Sequence, residues 1–260
     1  MAKAFPVRAR QLLTESDPPA VAWAKMGDAE GLARLLASAR QGGRLAKAAD
    51  ERDERGWTAL MWSCRGFPYE ATSSLAEAGQ VPEPASAGAI EKGRDLCARL
   101  LIDAGADVDA KTPDTAFRPV MWAARDGRER AMRALLAAGA DPSAKTLYGV
   151  KPVASAYEGG HAGCLAELAR AGAFEGMDQD ALWALLTGKR SAKRSAAEQA
   201  ELAAWLLGLL GLGTRSWVWG RLVEFGGPQP AWAGLVMSRL EAAELAVLAP
   251  ARTRAGAGRI

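Results

Sequence analysis

His161 is the sole histidine of the chain, and Cys64, Cys97 and Cys164 are its three cysteines. These residues could supply a general base, a thiolate nucleophile or soft metal ligands. Their spacing works against all three roles. Any catalytic Ser/His/Asp or Cys/His set would have to use His161, and no two cysteines stand close enough to form a zinc hook. Cys97 and Cys164 each precede a glycine, Gly105 and Gly172, by eight residues, so they read as small core hydrophobes at a repeated position. Gly208, Gly211 and Gly213 form a glycine patch, but no strand leads into it and no lysine follows within reach of a phosphate. No catalytic residue, metal or cofactor is expected. An enzyme built on the C-terminal helices would have only scattered carboxylates such as Glu198, Glu201 and Glu224.

Binding to nucleic acid has one local feature in its favour, the run Lys189-Arg190-Ser-Ala-Lys193-Arg194, with Arg252, Arg254 and Arg259 near the end of the chain. Such runs contact phosphates. No aromatic residue is interleaved for base stacking, and the formal net charge is only +3. A solvated loop between helices is the expected role of residues 189–194, and phosphate contact is the alternative.

The elements that would position any site come from a chain of 260 residues, 49% hydrophobic and 24% charged. That is ample for a continuous core. No run of about 18 apolar residues is present, so no membrane span is expected. The N-terminal Met1-Ala-Lys-Ala-Phe-Pro has no apolar stretch behind it, and the cysteines are sparse and odd in number. A cytoplasmic protein with reduced thiols is the expectation.

Internal repetition is clear. Leu101-Ile-Asp-Ala-Gly-Ala-Asp107, Leu135-Leu-Ala-Ala-Gly-Ala-Asp141 and Leu168-Ala-Arg-Ala-Gly-Ala-Phe174 place Gly105, Gly139 and Gly172 at intervals of 34 and 33 residues. Thr58-Ala-Leu-Met-Trp62, Arg118-Pro-Val-Met-Trp122 and Lys151-Pro-Val-Ala-Ser155 form a second landmark, with Pro119 and Pro152 each 20 residues before its glycine. Proline suits a first helical turn, where no N–H is required. Gly127 and Gly160 fit turns between paired helices, and Gly105, Gly139 and Gly172 fit left-handed helix ends. Met132/Leu135/Leu136 and Cys97/Leu100/Leu101 follow the spacing of one buried helical face.

This pattern resembles the ankyrin-repeat family, whose unit of about 33 residues is a β-turn followed by two antiparallel helices. Met61 and Met121 stand where the family usually has histidine, and His161 occupies a place where ankyrins commonly put one after the inter-helix glycine. The resemblance implies an all-α solenoid of stacked helix-turn-helix units with β-turn tips. One elongated domain is expected over 1–260. It would hold an N-terminal capping unit at 20–52, repeats at 53–111, 112–145 and 146–174, and degenerate repeats or a helical cap at 175–260. The cap reading rests on Trp23 to Leu36, which resembles the segment around Gly127 to Leu136.

The first full repeat carries 26 extra residues, 67–92, expected as a surface insertion between its two helices, with a short helix over 71–78. It is locally acidic through Glu70, Glu77, Glu83 and Glu91. In a competing alignment the unit closes at Gly79. Helices are predicted over 178–186, 196–210, 216–225 and 231–248.

The resemblance also implies a function: holding a partner protein, on a concave side made by the tips and first helices. Carried onto this sequence, the tips expose Arg55 and Trp57, then Asp114 and Phe117, then Tyr148 and Val150. The first-helix ends add Arg65, Arg125, Asp126 and Glu158. Trp57, Phe117 and Tyr148 would form an aromatic row, and aromatics with arginine are enriched at binding hot spots. Trp62 and Trp122 are expected to pack in the core. The alanine-rich repeats look like bacterial ankyrin proteins, a group that includes regulatory and toxin-neutralising members. A monomer without enzymatic activity is expected, with neither nucleic acid nor membrane as the partner.

Overall fold

Proline or threonine opens three of the helices where the landmarks place them. Pro119 and Pro152 occupy first turns, and the Thr58 hydroxyl accepts the Met61 N–H at 3.4 Å. The computed structural model describes residues 17–66, 84–175, 177, 179–187, 195–209 and 235. Packing divides the chain into two compact units, Met1–Glu175 and Gly176–Ile260. The division falls where the repeat motif ends.

The first unit contains α1 (Pro19–Met26), α2 (Ala29–Gln41), α3 (Leu45–Ala49), α4 (Ala59–Cys64), α5 (Pro84–Asp103), α6 (Pro119–Arg125), α7 (Glu129–Ala137), α8 (Pro152–Gly159) and α9 (Ala162–Arg170). They pack as hairpins, α1 with α2, α4 with α5, α6 with α7 and α8 with α9. Each hairpin also packs on the next, giving an inner row α1, α4, α6, α8 and an outer row α2, α5, α7, α9. Among the described residues the β-structure amounts to one isolated bridge, Arg52 to Thr58.

The hairpin turns need a left-handed residue, and Gly27, Gly127 and Gly160 supply it at φ +67°, +70° and +77°. With glycine there, the chain reverses at no steric cost. Leu32, Leu60, Met61, Leu101, Met132 and Leu165 are fully buried between the rows, each worth roughly 1.5–3 kcal/mol of transfer free energy. A single hairpin could not enclose them, so stacking is obligatory.

The insertion differs from expectation. Residues 84–92 are helical, forming the first turns of the 20-residue α5, so the extra residues do not form a loop as far as 92. Pro84 suits a helix start, and the alanine-rich run behind it is helix-compatible. Residues 67–83, including the predicted 71–78 helix and the Gly79 closure, lie outside the described residues. The helix holding Cys97 packs on α4 as its hairpin partner. Gly93 makes this possible by lying directly against the backbone of Gly27. The neighbouring Arg94, only 2% exposed, donates to Lys25 O at 2.6 and 3.2 Å and to Arg65 O at 3.2 Å. It thereby occupies the carbonyl ends of α1 and α4. Burial, with Arg128 and Arg65 nearby, pushes its pKa down to about 10.

Cys64, Cys97 and Cys164 are buried free thiols. Burial pushes each up to about 12, which leaves almost no thiolate at neutral pH. The native protein should therefore react negligibly with a thiol-specific disulfide reagent at pH 8 and release three equivalents once unfolded in guanidinium. Rapid labelling of the native chain would contradict this seating of the outer helices.

In the second unit, α10 (Gln179–Thr187) and α11 (Ala196–Leu209) lie within a residue of the predicted spans. Ser195 and Glu198 form a reciprocal capping box, with the Ser195 N–H donating to Glu198 Oε2 at 2.9 Å and the Glu198 N–H to Ser195 Oγ at 3.3 Å. The helices predicted over 216–225 and 231–248 lie outside the described residues, apart from the helical Leu235. Among the described residues no helix is long and apolar enough to cross a membrane.

Candidate functional site

Each repeat tip is a tight turn fastened by one buried side chain. Asp53 Oδ1 accepts the N–H groups of Arg55 at 3.0 Å and Trp57 at 2.8 Å. Thr112 Oγ1 accepts the Phe117 N–H at 3.0 Å, and Thr146 Oγ1 accepts those of Tyr148 at 3.3 Å and Val150 at 3.1 Å. Backbone bonds close the same turns, from Asp53 N to Trp57 O, Thr112 N to Phe117 O and Thr146 N to Val150 O. Trp57, Phe117 and Val150 therefore share one register, and Tyr148 corresponds to Arg55.

That registration replaces the expected aromatic row. Tyr148 stands at its tip, 79% exposed. Trp57 and Phe117 instead lean on Trp122, with ring centroids 4.4 and 4.8 Å away, and Trp57 also meets Trp62 at 4.8 Å. Trp122 is buried, as expected, whereas Trp62 reaches the surface, and both join the tip aromatics in one cluster. Trp122 is 7% exposed, while Trp57 and Trp62 are half-buried.

Cations border the rings. Lys25, Arg65 and Arg125 occupy the same position near the ends of α1, α4 and α6, and Arg65 and Arg125 each come three residues after a tryptophan. That spacing stacks each arginine beside its own ring. Lys25 Nζ lies 4.6 Å from the Trp62 ring, Arg125 lies 4.4 Å from Trp122, and Arg65 lies 5.3, 5.4 and 5.3 Å from Trp57, Trp62 and Trp122. All fall within cation–π range.

Their counter-charges differ. Lys25 is paired with the buried Asp17 at 2.7 Å and approaches Asp53 at 3.9 Å. Arg125 meets Asp126 at 3.1 Å, and Asp126 also accepts the Gly66 N–H at 2.9 Å. Arg65 has no ion pair with a carboxylate among the described residues. Burial lowers the pKa of Arg65, Arg125 lowers it further, Asp126 opposes, and Arg55 adds to the lowering. The two indole N–H groups differ as well. Trp62 Nε1 donates to Asp53 Oδ2 at 2.9 Å, whereas Trp122 Nε1 is buried without an acceptor. Thr112, at the Asp53 register, has one side-chain oxygen, already engaged in its own turn.

The ankyrin-repeat family model matches residues 117–147, which run from Phe117 through α6 and α7 into the next tip. The solved crystal structure of EF0377, described as an ankyrin repeat protein, superposes with a TM-score of 0.51 at 18% sequence identity. The match covers 76% of this chain and 83% of that one, and at this identity the likeness speaks for the fold. The chain carries an ankyrin repeat and has the ankyrin-repeat fold. No curated protein matches its sequence.

In this ankyrin array the inner row consists of the first helices. Among the expected site residues, the fold gathers Trp57, Arg65, Phe117, Arg125 and Asp126 into the aromatic cluster and its border. Arg55 is exposed beside them and adds positive potential at Arg65. Asp114, Tyr148, Val150 and Glu158 lie outside the cluster. Asp114 is exposed, and hydrogen bonds with the hydroxyls of Thr112 and Thr115 hold its carboxyl below the usual range. Val150 and Glu158 are half-buried, and Glu158 puts a negative charge where α4 and α6 have arginine.

Lys25, Asp53, Trp62 and Trp122 also belong to the cluster and its border, outside the set expected from the sequence. For the two tryptophans the signal was the Trp-x-x-Arg spacing, present at Trp62/Arg65 and again at Trp122/Arg125.

His161 fills the hairpin turn, with Nε2 3.0 Å from Arg125 O. On the outer side, a groove of about 580 Å³ between α5 and α7 is lined by Lys92, Asp95, Leu96, Arg99, Arg130 and Arg133. Its one carboxylate, Asp95, is held by Arg128 at 2.6 Å, so the groove holds no acid pair. Among the described residues no group of three or more His, Cys, Asp or Glu side chains could hold a metal. The basic loop at 189–194 lies outside the described residues.

Proposed function

We propose that this ankyrin-repeat protein binds a partner protein on the face formed by the tips and first helices, with Trp57, Trp62, Phe117 and Trp122 as its anchor. Ankyrin repeats generally mediate protein–protein contacts. The observation that carries the reading is the aromatic cluster bordered by Arg55, Arg65 and Arg125, with Trp57 and Trp62 still half-exposed. Tryptophan and arginine dominate binding hot spots because they bury large surfaces and keep directional donors. The scaffold role fits a monomeric cytoplasmic protein whose partner is of the regulatory or toxin-neutralising kind.

A partner captured from the source cell and then purified provides the test. Trp57→Ala is expected to weaken the complex by at least about 2 kcal/mol, measured by isothermal titration calorimetry. Tyr148→Ala should cost less than about 1 kcal/mol, because Tyr148 stands apart from the cluster. Circular dichroism melts would establish that both variants remain folded. A complex indifferent to Trp57→Ala would place the interface elsewhere on the array.

A further inference from the structure

Elsewhere in the array, Arg94 is held by the backbone carbonyls of Lys25 and Arg65, and Arg118, Arg128 and the exposed Arg133 are matched to carboxylates. Arg118 meets Asp109 at 3.0 Å and Asp141 at 3.5 Å, Arg128 meets Asp95 at 2.6 Å, and Arg133 meets Glu167 at 2.7 Å. Arg65 has neither kind of partner among the described residues. Its guanidinium is half-buried among three indole rings, and burial, Arg125 and Arg55 disfavour its charge, with Asp126 opposing them only in part. A ring attracts the cation but offers the five N–H donors of a guanidinium no in-plane acceptor. Among the described residues, Arg65 is thus a partly desolvated cation, next to others of its own sign, without the planar acceptor that matches it best.

We infer that Arg65 receives an Asp or Glu side chain of the partner, in an acidic segment lying across Trp57, Trp62 and Trp122. The inference rests on the proposed use of this face. Arg65 and Arg125 belong to neighbouring first helices, whose axes lie about 8–10 Å apart. An extended peptide rises about 3.3 Å per residue, so two acids spaced two or three residues apart would serve both arginines. The aromatic floor favours a polypeptide with apolar residues between those acids. A nucleic-acid backbone offers phosphates but no such apolar side chains.

The test uses the full chain and a random peptide library displayed as internal loops, so that no free C-terminal carboxylate is presented. Selected peptides should be enriched in Asp or Glu beside apolar residues. Arg65→Gln should weaken their binding by roughly tenfold or more, read from tryptophan fluorescence titrations. Replacing the peptide acid by its amide should weaken wild type similarly yet change nothing in Arg65→Gln, which ties that acid to Arg65. Peptides without an acid, or with an acid uncoupled to Arg65, that still depend on Trp57 would overturn the carboxylate and leave the face as the binding site. If no peptide is selected, or if binding is unmoved by Trp57→Ala, both the carboxylate and the face are overturned. Preferential binding of an RNA or DNA oligonucleotide that Arg65→Gln abolishes would replace the acidic peptide by phosphate.

Discussion

Gly93→Ala is expected to destabilise the first unit by about 3 kcal/mol, at the upper end for forcing one extra carbon into a packed interior. Helix propensity predicts the opposite sign, since alanine in a helix interior is favoured over glycine by about 1 kcal/mol. Geometry decides between them. A Cβ on Gly93 would lie 2.0 Å from Gly27 O and 3.0 Å from Gly27 C. These are backbone atoms of the α1–α2 turn, which cannot swing aside as a long side chain would. Gly27 itself is held at φ +67°, and a Cβ there would meet Ile90 O at 2.6 Å. Two chain segments thus touch backbone to backbone. Pushing α5 away would also break the bonds from Arg94 to Lys25 O. The loss is read as a lowered urea midpoint, with Cys97 becoming reactive to thiol reagents at lower denaturant. A midpoint equal to wild type would mean that α5 is not seated on that turn.

The contact between Gly93 and Gly27 also marks the limit of what the sequence revealed. Landmarks that satisfy local backbone needs were legible. Pro119 and Pro152 open helices, Gly127 and Gly160 turn hairpins, and the likeness of Trp23–Leu36 to the later unit correctly located the α1–α2 hairpin. Long-range requirements were not. Residues 84–92 combine proline, glycine and alanine, a composition that suits a loop as well as a helix start, and the packing of α5 as a whole against α1, α2 and α4 is not written in that segment. Tyr148 was assigned to the aromatic row because tips were matched by residue type. The true register is set by Asp53, Thr112 and Thr146, which do the same task with different oxygens. Trp62 sits at the border of the apolar stripe, so a single helix does not reveal that it stays half-exposed while Trp122, at the equivalent position, is buried. The stacking of Trp57 and Trp122 crosses from one repeat to the next, and no local pattern encodes it.

Asp53→Ala should cost about 2–4 kcal/mol and disturb the binding face along with the tip. The carboxylate is only 8% exposed and accepts three hydrogen bonds, two from the turn and one from Trp62 Nε1. Alanine would leave those donors sheltered from water, at about 1–3 kcal/mol for a buried unsatisfied group. Lys25 would lose a weak second counter-ion at 3.9 Å but keep Asp17 at 2.7 Å, so electrostatics is the smaller part. Asp53→Thr separates the two tasks. The next two repeats show that a threonine hydroxyl can hold a tip closed, so this variant should recover roughly half of the loss. What it cannot supply is a second oxygen for the half-buried Trp62 indole, which would then lose its protein acceptor. Chemical denaturation should rank the chains wild type, Asp53→Thr, Asp53→Ala, and the Trp62 indole N–H resonance should shift in both variants. Equal stability of the threonine and alanine variants would show that turn closure contributes little. An unmoved indole resonance would show that Asp53 does not hold Trp62 in the cluster.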